Sequence, residues 1–370
     1  MKNKKFFAAA SAVLVVLWVA LTALVWFTPD KKNSESERRP LAQKPAFNLE
    51  ALLDGSFKGD FDEYLKDQFP LRDDFRLFKG ALHAFLLNQK VDTNGLFYMD
   101  GHLSQHSVTF NQQQFQMRMD TINKIYNAFI KKNTSNVYVT VIPDKNYYLQ
   151  QNNTMPTFDY EHIFSQVKEQ MSWGQYIDMT GVLSLDNFYS TDTHWKQENI
   201  LPVAQLLCQA MGGKGPADGD FTVEKIDKPF YGVWYGKAGL PMGADELFIL
   251  KNEMLDGVKV TVNGLPGKLY DEAQLETSDP YNIYLSGAKN GLVTIENPNA
   301  TTDKTLVVFR DSFGSSIAPL FVQDYKTITL VDLRVMPISG LATQQMMFRD
   351  ADVLFMLSAL VLNNTAELFM

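Results

Sequence analysis

The stretch Thr305-Leu306-Val307-Val308-Phe309-Arg310-Asp311-Ser312-Phe313-Gly314-Ser315 constrains the fold more than any other. Thr305 to Phe309 carry β-branched, aliphatic and aromatic side chains in succession, the mark of a buried strand. Asp311, Ser312 and Gly314 break that run. A helical pattern resumes from about Ser315 to Val322. A buried strand that turns straight into a helix is the repeating unit of an α/β sheet. The same turn lifts a serine hydroxyl above the sheet edge, with the N–H groups of a helix N-terminus beside it. Asp311 and Ser312 are also good capping residues. The turn alone does not decide between a cap and a nucleophile.

The same alternation recurs along the chain. Asn136 to Ile142 is the clearest strand and stops at Pro143-Asp144-Lys145. Before it, residues 111–131 form a helix with a core stripe of Phe115, Met119, Ile122, Tyr126 and Phe129. After it come a helix over 161–171, a short strand over 176–179 and a helix over 197–211, with Pro202 in its first turns. Strands at 327–331 and 352–357 follow Ser312, separated by a helical stretch. This spacing predicts a mostly parallel sheet between helices. Residues 213–300 are rich in Gly, Asp and Asn. They carry short β-runs at 247–250, 258–262 and 291–296 and read as a β-rich excursion. Residues 57–87 hold two amphipathic helices, broken at Pro70. Asn94-Gly95 and Asp100-Gly101 bracket a short strand at 96–99.

Lys2, Lys4 and Lys5 precede an uncharged run from Phe6 to Phe27, long enough to cross a bilayer as a helix. No small-residue cleavage site follows the run, so residues 1–29 read as an uncleaved signal anchor with a cytoplasmic tip. Residues 30–45, polar and with two prolines, read as a stalk. Residues 46–370 are then an extracytoplasmic domain of a single-pass protein. A formal net charge of −8 and the lack of a basic block beyond the N-terminus argue against nucleic-acid binding. Cys208 is the sole cysteine, so no intrachain disulfide forms. His102 and His106 are four apart, but their surroundings are not helical and no third ligand is evident. No metal site and no cofactor are expected.

The residues that carry chemistry are Asp192 and His194, in Ser190-Thr191-Asp192-Thr193-His194-Trp195. Side chains at i and i+2 of an extended or turning backbone project to one side. The Asp192 carboxylate can therefore fix one imidazole nitrogen and leave the other to accept a proton. Ser312, at the end of a parallel strand, supplies that proton. Trp195 would pack beside the imidazole and limit water. Tyr147, Tyr148, Trp234 and Tyr235 are candidates for stacking on sugar faces, although core packing is the commoner fate of such rings.

Seven segments fall in an order that resembles the DHHW family: Ser34 to Pro45, Phe69-Pro70-Leu71-Arg72, Ile142-Pro143-Asp144-Lys145, Thr191 to Trp195, Asp279-Pro280-Tyr281 to Gly287, Arg310-Asp311-Ser312-Phe313 and Val331-Asp332-Leu333-Arg334. That family is related to the SGNH-hydrolase-like domains of alginate O-acetyltransferases. The resemblance covers nearly all of the chain beyond the apolar run. It implies a flavodoxin-like three-layer sandwich with Ser312 as nucleophile, His194 as base and Asp192 as orienting acid. Thr193 stands at the second position of the DHHW motif, and Arg310 stands where a GDS block has Gly. Arg334 matches a family arginine that would face the cleft, or else forms an ion pair.

The expected activity is O-acyl transfer, acetyl first, to a cell-surface glycan, with a multi-pass membrane acyltransferase as donor partner. Two other readings are a carbohydrate esterase and a non-catalytic surface protein that keeps the fold to bind glycan or a partner.

Overall fold

The computed structural model describes residues 2–87, 91–92, 94–107, 109–152, 157–288 and 290–363. The chain forms two compact units. The first holds residues 1–92 and 235–242, the second 93–234 and 243–370.

The first unit opens with helix α1, Lys2–Phe27. Its stretch Phe6–Val25 is long and apolar enough to cross a membrane. Residues 30–43 are folded rather than extended. Asn33–Ser34 pairs with Arg39–Pro40. The Arg39 guanidinium grips both carboxylate oxygens of Asp67, at 2.8 and 2.6 Å. Helices α2 (Leu49–Asp54), α3 (Ser56–Asp67) and α4 (Arg72–Ala81) follow, the last continuing as a π-turn over Leu82–Leu86. The Asn48 side chain caps α2, and Gly55 ends it at a φ of 85° that a side chain would strain.

The second unit is built on an eight-stranded sheet. In chain order its strands are β1 Val137–Ile142, β2 Gln175–Tyr176, β3 Lys259–Val262, β4 Leu265–Gly267, β5 Leu292–Glu296, β6 Thr305–Arg310, β7 Thr327–Val331 and β8 Asp352–Ser358. Across the sheet the order is β4-β3-β5-β7-β6-β8-β1-β2. Strands β7, β6, β8, β1 and β2 are parallel, while β5, β3 and β4 add an antiparallel edge. Strand β6 is central: Val307 pairs with Thr329 on one side and Val353 on the other.

Helices cover both faces, which is why these strands read as unbroken apolar runs. Leu306, Val308, Leu354 and Met356 pack with Val203 and Leu207 of helix α8, Leu201–Ala210. Val307, Phe309, Val353 and Phe355 pack on the other face with Phe115, Ile122 and Val167, from α5 (Gln112–Ile125) and α7 (Tyr160–Gln170). The result is an α/β/α three-layer arrangement.

Local chemistry explains where the elements differ from the sequence reading. Helix α8 starts at Leu201, with Pro202 in its first turn where no N–H is needed. Residues 197–199 are a separate 3-10 turn. Lys145–Asn152 forms a further helix, α6, directly after β1. The excursion contains a hairpin of Thr222–Phe230 against Asp245–Lys251 in addition to the expected β-runs. His102 lies on a strand, His102–Gln105, and its Nδ1 donates to the Asp100 carbonyl.

Candidate active site

The C-terminal ends of β1, β6, β7 and β8 converge, bringing Asp144 and Lys145, Asp311 and Ser312, Asp332, and Ser358 to one edge. This is where open parallel sheets collect functional groups. From Leu306 to Val322, Ser312 alone is not buried. It sits between β6 and a short helix α9, Phe313–Ile317, with ordinary helical backbone angles. The capping question resolves at the level of atoms. Asp311 Oδ1 accepts the Phe313 amide at 3.1 Å, while the Ser312 side chain makes no cap bond. Asp311 Oδ2 accepts the Ser358 amide at 2.7 Å, tying the turn to the end of β8. The cap is Asp311, and the Ser312 hydroxyl is left for another partner.

That partner is His194. Ser312 Oγ lies 2.7 Å from His194 Nε2, and His194 Nδ1 lies 2.5 Å from Asp192 Oδ1. The serine donates to one ring nitrogen while the other donates to the carboxylate. Asp192 Oδ1 also accepts the His194 amide at 3.0 Å, so a single tight turn places both groups. Asp192 is 1% exposed and His194 8%. Burial in low dielectric strengthens this chain of hydrogen bonds. Such an arrangement can take a proton from a hydroxyl as it attacks and return it later.

The loop carrying the pair is fixed from several sides. Phe188 and Trp195 bridge across its base. Asp245, at the start of the second hairpin strand, accepts the amides of Ser190 and Thr191 at 2.7 and 2.8 Å and the Thr191 hydroxyl at 2.5 Å. Asp192 Oδ2 accepts the Val233 amide at 2.7 Å. That bond needs Gly232: an added Cβ would lie 2.3 Å from the Asp192 Cβ. Lys145 is fully buried, donates to the Tyr189 carbonyl at 2.7 Å and lies 4.7 Å from the centre of the Trp234 ring. Burial pulls its ammonium down to about 7 and pushes Asp144 up to about 6, against the opposing pull of nearby charges.

The aromatic beside the imidazole is Tyr281, not Trp195. Its ring stacks on His194 at 3.8 Å and 7°, and its hydroxyl lies 2.8 Å from Ser316 Oγ. Trp195 is fully buried, donates to the same Ser316 hydroxyl at 2.9 Å and packs edge-on against Phe313. Trp234 is likewise buried, and Tyr147 and Tyr148 pack into a cluster with Tyr160, Phe164 and Phe188. Ring hydrophobicity has drawn Trp195, Trp234 and Tyr148 into the core, while Tyr147 is partly buried. Tyr235 belongs to the first unit. Arg334 commits its fork to Asp332, at 2.9 and 2.7 Å. Arg310 is held by neighbours other than Ser312. Its buried guanidinium donates to the Asp311 carbonyl at 3.3 Å and lies 3.5 Å from Asp332. Gly314 gives its side chain room, since a Cβ there would meet Arg310 at 2.6 Å.

Comparison with solved structures places the fold in a known architecture. A DHHW family protein from Eubacterium siraeum matches with a TM-score of 0.61 at 17% identity, over 76% of this chain and 98% of its own. The fold is that of the DHHW family structure. Bacillus cereus PatB1, solved with a sulfonyl adduct, matches this DHHW-like fold with a TM-score of 0.60 at 18% identity, over 73% of this chain and 96% of its own. A more distant match, TM-score 0.44 at 12% identity, is the O-acetyltransferase domain of Pseudomonas putida AlgJ, covering 74% of this chain and 94% of its own. No protein-family model and no curated protein sequence matches the chain. The fold-level likeness to DHHW is therefore carried by structure, at identities too low to transfer a function.

Sequence reasoning missed Asp245, Gly232, Lys145 and Ser316 as supports of this site. Gly232 had a signal in its place directly after the aromatic pair Phe230-Tyr231. Lys145 and Tyr281 lay inside segments that resemble the DHHW family, but no role followed from position alone.

Proposed function

We propose that this chain is a membrane-anchored, extracytoplasmic O-acyltransferase that moves an acyl group, acetyl first, onto a hydroxyl of a cell-surface glycan. The observation that carries the reading is the unbroken chain Ser312 Oγ, His194 Nε2, His194 Nδ1, Asp192 Oδ1 at the open edge of a parallel sheet. Support for acyl chemistry comes from the order of segments that resembles the DHHW family, which is related to the SGNH-hydrolase-like domains of alginate O-acetyltransferases. The sulfonyl adduct of the similarly folded PatB1 supports it further, since sulfonylation marks a reactive nucleophile.

Ser312 Oγ attacks the carbonyl carbon of the donor ester while its proton passes to His194 Nε2. The proton then goes to the departing donor oxygen, leaving an acyl-Ser312 ester. A sugar hydroxyl gives its proton to His194 and attacks the acyl carbon. The returning proton restores Ser312. Asp192 holds the imidazole tautomer and balances its transient charge. A multi-pass membrane acyltransferase is the proposed source of donor. Water is the competing acceptor, and with water the same steps make an esterase.

The test uses the full chain in detergent with p-nitrophenyl acetate, with and without oligosaccharide acceptor. Intact mass should show one added acetyl group on the wild type. Ser312→Ala should remove it and lower nitrophenol release by roughly three to six orders of magnitude. Acetyl on sugar supports transfer, and acetate alone supports the esterase. Glycan binding with no acylation at all would favour a binding protein.

A further inference from the structure

Helix α4 is packed the wrong way round for a surface helix of a water-soluble domain. Such helices turn their apolar stripe to the core. Here Leu71, Phe75, Phe78 and Leu86 form one stripe at helical spacing, with exposures between 48% (Phe75) and 73% (Leu86). The polar face is the one held. Arg72 and Arg76 both pair with Glu37, and Arg76 also donates to the Gly236 carbonyl, at 2.5 Å. Neither α2 nor α4 contains a buried residue. The outward side chains of α2, Leu49 and Leu53, are 62% and 81% exposed. Exposed apolar side chains grouped in this way mark an interaction or membrane surface.

The same unit fixes this surface to the end of α1. Tyr64 donates to Asp30, three residues beyond the helix, at 3.0 Å. Gln68 accepts the Lys31 amide and donates to the Lys31 carbonyl, both at 2.9 Å. Glu37, which holds α4, lies in the same short segment. The chain leaving α1 is thus bonded to α3 and α4 at once, with no free linker between.

We propose that the apolar stripe of α4, with the outward leucines of α2, lies in the interfacial layer of a lipid bilayer. In this arrangement the unit rests on the membrane that α1 crosses. Interfacial helices bury such a face at the headgroup–acyl boundary. Residues 47–87 carry eight acidic and five basic side chains. Apolar burial, not attraction to anionic lipid, therefore drives the contact, and zwitterionic vesicles suffice. The inference rests on α1 being a membrane helix, which is part of the function proposed above.

The experiment is nitroxide labelling of the full chain in phosphatidylcholine vesicles. Labels go singly on Phe78→Cys, Leu86→Cys, Leu17→Cys within α1, and Met346→Cys, an exposed position of the second unit. Cys208 is buried, and the unsubstituted chain gives the background. Accessibility to oxygen, which partitions into lipid, is compared with accessibility to a water-soluble nickel chelate. The expected oxygen-to-nickel ratio at 78 and 86 is several-fold above that at 346. Ratios at 78 and 86 equal to that at 346 overturn the inference, and a high ratio at 17 then leaves the anchor standing. Shielding of 78 and 86 from both reagents means protein covers the stripe, which also overturns it. A low ratio at 17 removes both the anchor and the inference.

Discussion

The turn that carries Asp192 depends on a residue with no side chain. Replacing Gly232 by Ala puts a methyl within 2.3 Å of the Asp192 Cβ and 2.4 Å of the Thr191 carbonyl. The backbone must withdraw and the Val233 amide loses Asp192. A displacement of that kind costs about a hundredfold in rate when a reaction depends on the displaced group. Gly232→Ala should therefore fold and hydrolyse p-nitrophenyl acetate about a hundredfold more slowly than wild type. Unchanged rates would remove Asp192 from the mechanism. Glu198 gives a prediction about pH. Burial pushes its carboxyl up to about 7, and its Oε2 has no hydrogen-bond partner among the described residues. The unfolded chain ionises Glu198 first, so stability is lost as pH rises from about 4.5 to about 7. The loss is on the order of 3 kcal/mol at about 1.4 kcal/mol per pH unit. Glu198→Gln should flatten the fall in Tm across that window, measured by differential scanning calorimetry. Parallel Tm curves for the two proteins would refute the assignment.

At the scale of elements, the hairpin Thr222–Phe230 and Asp245–Lys251 acts as a brace for the loop before His194. Asp245 alone satisfies two amides and a hydroxyl of that loop. Asp245→Ala leaves buried donors unpaired, a loss of about 2–4 kcal/mol. Hydrogen exchange should accelerate at the Ser190 and Thr191 amides ahead of the β6 amides, and equal exchange at both would deny the brace. The elements differ in how far their sequences disclose them. Strands β1, β6, β7 and β8 were legible because a strand buried on both faces has to be apolar throughout. The pair Asp192 and His194 was legible because two neighbouring residues on one turn set the geometry. Asp245 was not, since its partners lie more than fifty positions away in sequence. Nor were the fates of Trp195 and Trp234: an aromatic ring serves a core and a sugar platform equally well, and only packing decides. The inverted packing of α4 was hidden for a related reason. Periodicity marks an apolar face but does not say what covers it.

For the whole molecule, the apolar run of α1 and the lysines at its N-terminal end are expected to set the orientation. Lys2, Lys4 and Lys5 are expected to stay inside and residues beyond Asp30 to lie outside. Mass spectrometry of the membrane-extracted chain should recover the N-terminal peptide intact, and protease added to whole cells should cut the larger part. A mature end near residue 30 would show the anchor to be a cleaved leader. Ser312 and His194 are 118 positions apart, with the β-rich excursion between them. Their contact has high sequence separation and is therefore expected to form late in folding. Under the proposed function, a growing chain is expected to hold Ser312 without its base. The proposed reactivity is then expected among the last events of folding, and the onset of acylation in a refolding mixture would serve as a clock for completion of the sheet.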